Sequence, residues 1–416
     1  MPGHLCTVSP MTLTDRLTRA TAGRSAPLAV VDLDTFDANA ADLLRRAAGS
    51  PVRLAAKSVR VPALMDRALE AGFTGVMAFS LAEALWLVGR GTRDVLVGYP
   101  TVDDAALARW AADPVARREI TLMVDDAAQV ALVCRALAVH DDGTHPPSGG
   151  PGARQLPDAA VCLDVDCSLR LGVGSWRAHL GTRRSPLRTP EQVVRLAEEV
   201  ERTPGLRVRG LMFYEAQVAG MPDASPAVRA VKRLSVPDVE RRRRDILAAL
   251  RTAVGRDVEL VNAGGTGSLE SSAAGTGVTE VTAGSGLFVP GTFDRYRSFE
   301  PRPAAFFGLD VVRRPADGWA TAFGGGYVAS GAAGPSRLPR VVTPGWSLTR
   351  REGVGEVQTP LRRQRSGREL RVGDRVWFRH AKAGELMERF AEVHLVRGDE
   401  IVETVPTYRG AGQTFG

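Results

Sequence analysis

The chain has 416 residues, of which 44% are hydrophobic and 24% are charged, and its formal net charge is +7. This length suits one barrel-sized domain together with a smaller one. The composition is that of an ordinary globular protein, and no stretch approaches the roughly 18 uninterrupted apolar residues that a membrane helix needs. These properties exclude a disordered chain and a protein that crosses the membrane, and we expect no membrane partner.

The first residues lack the basic start and the apolar run of a secretory signal. We therefore expect a loose leader, in which Met11 could be the true start, and a cytoplasmic protein. The four cysteines form no CxxC pair and no zinc-ligand pattern, so we expect buried thiols rather than disulfides or a metal centre. They are Cys6, Cys134, Cys162 and Cys167.

The positive charge does not by itself indicate nucleic-acid binding. Its densest part is a run of four arginines at 241–244, just after Pro237 and Asp238 at the start of a helical pattern. No aromatic residues are interleaved with this run. We therefore expect a solvated helix face there and no nucleic-acid partner.

From residue 52 onward, short apolar and β-branched runs alternate with longer helical patterns, which is typical of repeated βα units around a parallel sheet. Eight parallel strands with intervening helices over about 230 residues favour a closed β/α barrel, with an open doubly wound sheet as the alternative. The strand candidates are 52–56, 75–79, 94–98, 120–124, 160–165, 208–213, 258–262 and 279–283.

The pattern changes outside and within this barrel. The segment 140–158 is rich in Pro, Gly and Ser and is interpreted as a surface insertion. After Pro290 the helical periodicity largely disappears, which predicts a mostly β second domain. A ninth strand candidate at 28–36 could pair with that domain. We therefore predict a barrel domain over 37–290 and a β-rich domain over 291–416, which also takes in about residues 1–36.

Only three of the 54 basic residues are lysines, namely Lys57, Lys232 and Lys382. A lysine amine can lose its proton and attack a carbonyl, which the guanidinium of arginine cannot do. Lys57 comes directly after the first barrel strand, and catalytic groups of β/α barrels lie at that end of the strands. Lys57 is therefore a candidate for covalent chemistry. The alternative is that the three lysines have no special role and remain on the surface by chance.

Glycine-rich turns follow the seventh and eighth strands, where β/α barrels often build a phosphate site. In the first turn, backbone amides at Gly264, Gly265 and Gly267 can approach an anion, and Thr266 and Ser268 add hydroxyl groups. In the second turn, Gly284, Ser285 and Gly286 supply a further arc of such groups. Such turns often only make sharp corners, but here two of them occupy the expected position. A reactive lysine together with a phosphate cradle is the combination that pyridoxal phosphate requires.

Seven motifs in order resemble the D-threonine aldolase and D-serine dehydratase branch of the alanine-racemase-like fold type. They are VRLAAKSVR, LDVDCSLRLGV, GLMFYEAQ, NAGGTGS, EVTAGSGLF, FRHAKAGEL and VPTYRGAGQTF. The resemblance runs from about residue 28 to the end and rests on the order of the motifs. It implies a barrel followed by a β domain, a homodimer, and a small amino acid substrate of D configuration.

The resemblance also implies roles for single residues. Lys57 matches the lysine that binds pyridoxal phosphate as a Schiff base. Arg170 matches an arginine directed at the phenolic oxygen of the cofactor, although a solvated loop arginine is the alternative. Tyr214 matches a tyrosine near the pyridine ring, with a half-buried aromatic at the barrel rim as the alternative.

One departure from the family concerns a divalent metal. The resembling enzymes hold it with a histidine and, two residues later, a cysteine or an aspartate, whereas this chain has His380 followed by Lys382. A charged ammonium does not ligate a cation and repels it, so we expect this metal site to be absent. We infer that the ammonium of Lys382 replaces the metal, with a merely structural role for Lys382 as the alternative, and that His380 is a hydrogen-bonding or acid–base group.

The residues and the resemblance together predict a pyridoxal-phosphate-dependent lyase that acts on a D-β-hydroxy amino acid. Retro-aldol cleavage and β-elimination with deamination both remain open, because the sequence does not choose between their proton transfers. Racemisation is an alternative, but it needs a base on each face of the cofactor and Lys57 supplies one. A non-catalytic pyridoxal-phosphate-binding protein is another alternative, and the predicted β domain argues against it.

Overall fold

The computed structural model describes residues 11–140, 159–172 and 178–416. We number its strands in chain order: β1 (Leu28–Asp32), β2 (Val52–Ala55), β3 (Val76–Ala78), β4 (Val95–Val97), β5 (Ile120–Val124), β6 (Ala159–Asp164), β7 (Leu169–Leu171), β8 (Ala178–Leu180), β9 (Leu206–Phe213), β10 (Leu260–Ala263), β11 (Glu280–Ala283), β12 (Ala305–Arg313), β13 (Trp319–Phe323), β14 (Arg340–Val341), β15 (Trp346–Leu348), β16 (Gln358–Arg363), β17 (Arg375–Arg379), β18 (Glu392–Arg397) and β19 (Glu400–Pro406).

The α-helices are numbered in the same way: α1 (Leu13–Ala20), α2 (Leu33–Arg46), α3 (Pro62–Glu70), α4 (Leu81–Gly89), α5 (Asp104–Ala112), α6 (Pro114–Glu119), α7 (Ala127–His140), α8 (Pro190–Arg202), α9 (Ala216–Ala219), α10 (Pro226–Val254), α11 (Leu269–Ala273) and α12 (Ser285–Phe288). Several begin with a side-chain cap. Thr189, for example, accepts a hydrogen bond from the amide of Gln192 at the start of α8, and Pro190 occupies the first turn.

Eight parallel strands close into a barrel in the order β10-β11-β2-β3-β4-β5-β6-β9. The closure is direct, because Val281 of β11 pairs with Val52 of β2. All eight strand candidates from the sequence are present, and the predicted β/α barrel with a mostly β C-terminal part is confirmed. The open-sheet alternative is wrong, since the first and last strands of the predicted series are hydrogen-bonded neighbours.

Side chains fill the barrel in layers. The middle layer is apolar and contains Leu96, Met123, Cys162, Met212 and Leu260. Nearer the amino ends of the strands, the buried guanidinium of Arg53 binds Glu280 at 2.6 Å and Asp94 at 2.7 Å. These charges close the barrel floor, so the space for chemistry lies at the carboxyl ends of the strands.

The C-terminal strands form a separate sheet that includes β1. Strand β1 pairs with β12 in antiparallel register and with β18 in parallel register. The ninth strand candidate of the sequence therefore pairs with the C-terminal strands, as the sequence suggested. Helix α1 packs on the same sheet, where Trp377 donates a hydrogen bond to the hydroxyl of Thr18 at 2.9 Å.

The arginine-rich helix differs from expectation in where it begins and in how much of its arginine run is solvated. Helix α10 begins at Pro226, with Ser225 as its cap, and Pro237 lies inside it. A proline inside a helix is unfavourable, but buried side chains on both sides of Pro237 hold α10 against the barrel. The arginine run is solvated only in part, because Arg241 and Arg244 are exposed, whereas Arg243 is buried and Arg242 donates to the carbonyl of Asp166 at 2.6 Å.

The remaining expectations concern cysteines, the insertion and the membrane. Cys162 and Cys167 are buried and Cys134 is half-buried, all as free thiols, as expected. Cys6, most of the predicted leader and residues 141–158 of the predicted insertion lie outside the described residues. Among the helices of the described ranges, none is both long and apolar enough to span a bilayer.

Candidate active site

Lys57 lies at the mouth of the barrel, in a short 3-10 turn that follows β2. Its side chain is half-buried, and the ammonium donates a hydrogen bond to the hydroxyl of Tyr99. The backbone of Lys57 is held from the C-terminal side of the chain by Gly384. A Cβ atom at Gly384 would lie 1.9 Å from the carbonyl oxygen of Lys57, and φ there is +81°. Only glycine permits this approach.

Tyr99 and Tyr214 are joined by an arginine that lies across both rings. Tyr99 follows β4, Tyr214 follows β9, and both are half-buried. The guanidinium carbon of Arg184 lies 5.5 Å from the ring centre of Tyr99 and 5.3 Å from that of Tyr214. These distances are those of cation–π contacts. Lys57, Arg184 and the two tyrosines therefore occupy one side of the mouth.

The glycine-rich turns after β10 and β11 complete the other side. Ser285 lies 3.1 Å from Ser58, its hydroxyl oxygen facing that of the residue after Lys57. The amide of Gly286 donates to the hydroxyl of Thr266 at 3.0 Å, which joins the two turns. Because β11 and β2 are neighbours in the barrel, the turn after β11 lies directly beside Lys57. A Cβ at Gly284 would lie 2.7 Å from the Ala55 carbonyl oxygen, which makes glycine necessary there.

The turn after β10 offers backbone donors to a ligand. The amides of Thr266 and Gly267 have no hydrogen-bond acceptor within the described residues, although Thr266 is buried. A Cβ at Gly267 would lie 2.3 Å from the ring of Tyr296. Gly265 lies against Tyr214, with 3.6 Å between a Cβ built there and the ring. This turn is therefore a compact cradle with two free amides beside Tyr214.

Glu215 holds the turn after β10 in place by hydrogen bonds. Its carboxylate accepts hydrogen bonds from the amide of Gly264 at 3.1 Å and from the hydroxyl of Ser268 at 3.2 Å, and it also binds the hydroxyl of Ser272. Gly264 has φ of +81°, a conformation that favours glycine. Because Glu215 already uses its oxygens in these bonds, its role is to hold the turn.

A carboxyl group at the carboxyl end of β6 titrates near neutral pH. Burial raises the pKa of Asp164 to about 7, and the charge of Asp125 adds to the effect, whereas Arg184 opposes it. A carboxyl with such a pKa can hold or release a proton under ordinary conditions. Asp164 is therefore an acid–base candidate at the same mouth.

Arg170 lines a pocket of about 420 Å³ that Arg184 also lines. The guanidinium of Arg170 pairs with Asp166 at 2.7 Å and is partly exposed. It lies on the hairpin of β7 and β8, beside a surface pocket of about 470 Å³ that Arg188 and Arg242 also line. The cation that lies over the mouth is Arg184, so the role given to Arg170 stays a prediction.

His380 and Lys382 line a smaller cavity of about 160 Å³. Burial lowers the pKa of His380 to about 3, so its ring is neutral. Neither ring nitrogen makes a well-formed hydrogen bond within the described residues, although the backbone of Ala305 lies close. Lys382 is about half exposed, and its ammonium lies 2.6 Å from the hydroxyl of Ser330 and 3.0 Å from the carboxylate of Glu385.

Of the residues expected from the sequence, seven meet at the barrel mouth, and they are Lys57, Tyr214, Gly265, Thr266, Gly267, Gly284 and Ser285. Sequence reasoning missed Tyr99, Arg184, Asp164 and Glu215. Tyr99 and Asp164 stand at the ends of correctly predicted strands, which is the signal that singled out Lys57. Arg184 carries no such signal, because it lies in an irregular loop after β8.

Comparisons with known proteins agree with this architecture. The family model described as "Alanine racemase, N-terminal domain" matches residues 31–290. This is more than half of the chain, which therefore belongs to that family of barrel proteins. The resemblance found in the sequence is confirmed.

The particular relatives are aldolases and a dehydratase. The chain is 26% identical over 273 residues to D-threonine aldolase from Arthrobacter sp, covering 64% of this chain and 62% of that protein. It is 25% identical over 279 residues to 3-hydroxy-D-aspartate aldolase from Paracoccus denitrificans (strain Pd 1222), covering 66% and 63%. The matches thus span less than two thirds of these relatives.

Solved structures share the fold over nearly the whole chain. D-threonine aldolase from Filomicrobium marinum superposes with a TM-score of 0.73 at 22% identity, covering 93% of this chain and 96% of that one. D-threo-3-hydroxyaspartate dehydratase from Delftia sp. HT23 superposes with a TM-score of 0.67 at 20% identity, covering 92% and 97%. Both the barrel and the C-terminal sheet therefore have counterparts in these proteins.

Proposed function

We propose that this protein is a pyridoxal-phosphate-dependent lyase that cleaves or deaminates a D-β-hydroxy amino acid, with Lys57 as the attachment point of the cofactor. The observation that carries the proposal is the amine of Lys57 beside the turns after β10 and β11, around one barrel mouth. The D-threonine aldolase, the 3-hydroxy-D-aspartate aldolase and the dehydratase named above support the substrate class.

The residues present fit the cofactor. The free amides of Thr266 and Gly267 suit a phosphate group, and the close packing at Gly284 leaves no room there for a side chain. Tyr214 borders the cradle. A chain of contacts leads from Tyr214 through Arg184 and Tyr99 to Lys57. When bound, pyridoxal phosphate supplies a carbonyl that condenses with an amine and a ring that withdraws electrons from Cα.

The other residues of the mouth bind, orient and exchange protons. Arg184 presents a positive charge near the reacting amine, where it can attract the substrate carboxylate or the phenolic oxygen of the cofactor. Asp164 can exchange a proton near pH 7 because of its raised pKa. The low exposure of Thr266 keeps the phosphate position poorly screened by water, so its charge interactions are strong.

The family's divalent metal does not fit the residues of this chain. Of the two positions that hold the metal in the resembling enzymes, His380 alone carries a donor, because Lys382 brings a positive charge that lies 3.0 Å from the carboxylate of Glu385. The described residues contain no group of three or more His, Cys, Asp or Glu side chains that could hold a metal ion. We propose that the ammonium of Lys382 supplies the positive charge at this position and that the activity needs no divalent metal.

Other features of the protein are also proposals. We propose a homodimer and a cytoplasmic location, as the sequence suggested, and a division into a barrel domain over 37–290 and a β-rich domain over 291–416 with about residues 1–36. The pairing of β1 with β12 and β18 supports the inclusion of the N-terminal strand in the second domain.

The experiment is a screen of D-serine, D-threonine, D-3-hydroxyaspartate and their L isomers for released carbonyl product, in the presence of pyridoxal phosphate. We expect turnover of at least one D isomer and none by Lys57→Ala. Lys232→Arg is the matched control, because it removes a lysine amine but keeps the positive charge that pairs with Asp223 at 2.9 Å, and it should leave turnover intact. Racemisation of D-alanine without any carbonyl product would contradict the proposal.

A further inference from the structure

Tyr99 is a polar residue in direct contact with the reactive amine of Lys57. Its hydroxyl accepts a hydrogen bond from the ammonium of Lys57. The ammonium also lies 5.0 Å from the centre of the Tyr99 ring, and the guanidinium carbon of Arg184 lies 5.5 Å from the same centre. Two positive charges therefore face one phenol at the barrel mouth.

These charges favour the ionised form of the phenol. In water, tyrosine and lysine lose their protons at nearly the same pH, about 10. Burial raises the pKa of Tyr99, but the charges of Lys57 and Arg184 outweigh burial and lower it below its ordinary value, while Asp164 acts in the opposite direction. Tyr214, the remaining titratable group beside Arg184, has a pKa raised to about 12 by burial. Tyr214 therefore stays neutral where Tyr99 can ionise.

The position of Tyr99 brings this phenol to the reacting atoms. In the proposed function the substrate amine takes the place of the Lys57 amine, and the β-hydroxyl of the substrate lies two carbon atoms beyond that nitrogen. A group that contacts the Lys57 nitrogen is therefore within reach of the β-hydroxyl. Arg184 keeps its charge when the Lys57 amine is used for attachment, so the phenolate retains a cation.

On these grounds, and resting on the proposed function, we propose that Tyr99 is the catalytic base that takes the proton of the substrate's β-hydroxyl. A base at this position selects carbon–carbon cleavage, since loss of the hydroxyl would need an acid to protonate the leaving oxygen. The inference thus makes the protein an aldolase rather than a dehydratase.

The proton transfers balance within the site. The O–H bond of the β-hydroxyl breaks toward Tyr99, and its electron pair forms the carbonyl of the departing product. The Cα–Cβ bond breaks, and its electron pair stays on Cα. The proton passes from Tyr99 to the contacting amine of Lys57 and then to Cα. The substrate is divided into a shorter amino acid and a carbonyl compound, without an oxidant, a reductant or water.

The first test needs no cofactor. The chain has five tyrosines, and burial raises the pKa of each of the other four, which are Tyr214, Tyr296, Tyr327 and Tyr408. The near-ultraviolet absorbance of tyrosinate, titrated in the cofactor-free protein, should therefore show one tyrosine that ionises before the rest. This first step should disappear in Tyr99→Phe.

Two neighbouring arginines provide a matched pair for the same titration. Arg184→Gln should move the first step upward by about one pH unit, since it removes a cation from the phenol. Arg183→Gln removes the same charge one residue earlier, where no contact with the ring is found among the described residues, and should leave the step in place. An early step that persists in Tyr99→Phe, or equal shifts in both arginine variants, would overturn the inference.

The second test uses the holoenzyme and the substrate that the wild type turns over. Tyr99→Phe should keep the absorbance of bound pyridoxal phosphate and lose kcat by roughly a hundredfold to ten-thousandfold, and the wild-type products should be a shorter amino acid and an aldehyde or ketone. Ammonia with a keto acid as products, or a kcat of Tyr99→Phe close to wild type, would refute the role of Tyr99. Failure of Lys57 to bind the cofactor would instead refute the proposed function.

Discussion

Thr266 offers a direct test of where the phosphate binds. Its hydroxyl accepts the amide of Gly286 at 3.0 Å, and the residue is 5% exposed. In Thr266→Asp a carboxylate oxygen can still accept that amide, so the fold should survive. The added charge would face the phosphate in a poorly hydrated cradle, where two like charges about 4 Å apart repel by about 4 kcal/mol. Each 1.4 kcal/mol is a factor of about ten, so cofactor affinity should fall roughly a thousandfold.

The assay is a titration of each variant with pyridoxal phosphate, followed by absorbance, together with thermal unfolding of the cofactor-free protein. Thr266→Ser retains the hydroxyl and should bind the cofactor nearly as well as the wild type. Thr266→Val leaves the amide of Gly286 without its acceptor and should lower stability by about 1–3 kcal/mol. If Thr266→Asp binds the cofactor within threefold of Thr266→Ser, the phosphate does not lie in this cradle.

Three further predictions follow from the charges of the structure. Glu280→Ala leaves the buried Arg53 partly unpaired and should lower the free energy of unfolding by about 3–5 kcal/mol, whereas the exposed Glu259→Ala should cost under about 1 kcal/mol in the same denaturation assay. Prolonged chelation should leave activity intact, and Lys382→Cys should gain stoichiometric zinc by elemental analysis; metal-dependent wild-type activity would contradict this account. Burial raises the pKa of Glu83 to about 7, so this group alone should lower the free energy of unfolding by about 1.4 kcal/mol per pH unit as pH rises from about 4.5 to 7, in addition to the similar contribution of Asp164. In Glu83→Gln that slope should flatten, and an unchanged slope would refute the assignment.

The fold could be predicted largely because the barrel strands are short, buried and separated by helices. Their alternation with helices is visible in the sequence, and after Pro290 the helical periodicity gives way to the short β-type runs of the C-terminal sheet. The predicted start of α10 was wrong because Pro237 has the local properties of a helix start. In the structure the helix continues through Pro237, and its buried side chains pack on the barrel. Local sequence patterns show the unfavourable effect of a proline on a helix, but they do not show the stabilising contacts with residues distant in the sequence.

The site was predicted where strand order alone brings residues together. Lys57 and the turns after β10 and β11 meet because β11 closes the barrel against β2. Arg184 could not be found in this way, because it lies in an irregular loop after β8, and it is this loop that places its guanidinium against the rings of Tyr99 and Tyr214. The burial of His380 also depends on packing that the sequence does not show, because its ring lies edge-on against Phe288.

The central claim is that Lys57 carries pyridoxal phosphate, and reduction with borohydride tests it most directly. The protein saturated with cofactor should be yellow, and reduction should add the mass of the cofactor to the peptide that contains Lys57 and to no other. Lys57→Ala should show neither the colour nor the added mass, whereas Lys232→Arg should show both. Cofactor mass on Lys232 or Lys382 in the wild type, or a reducible complex that persists in Lys57→Ala, would contradict the account.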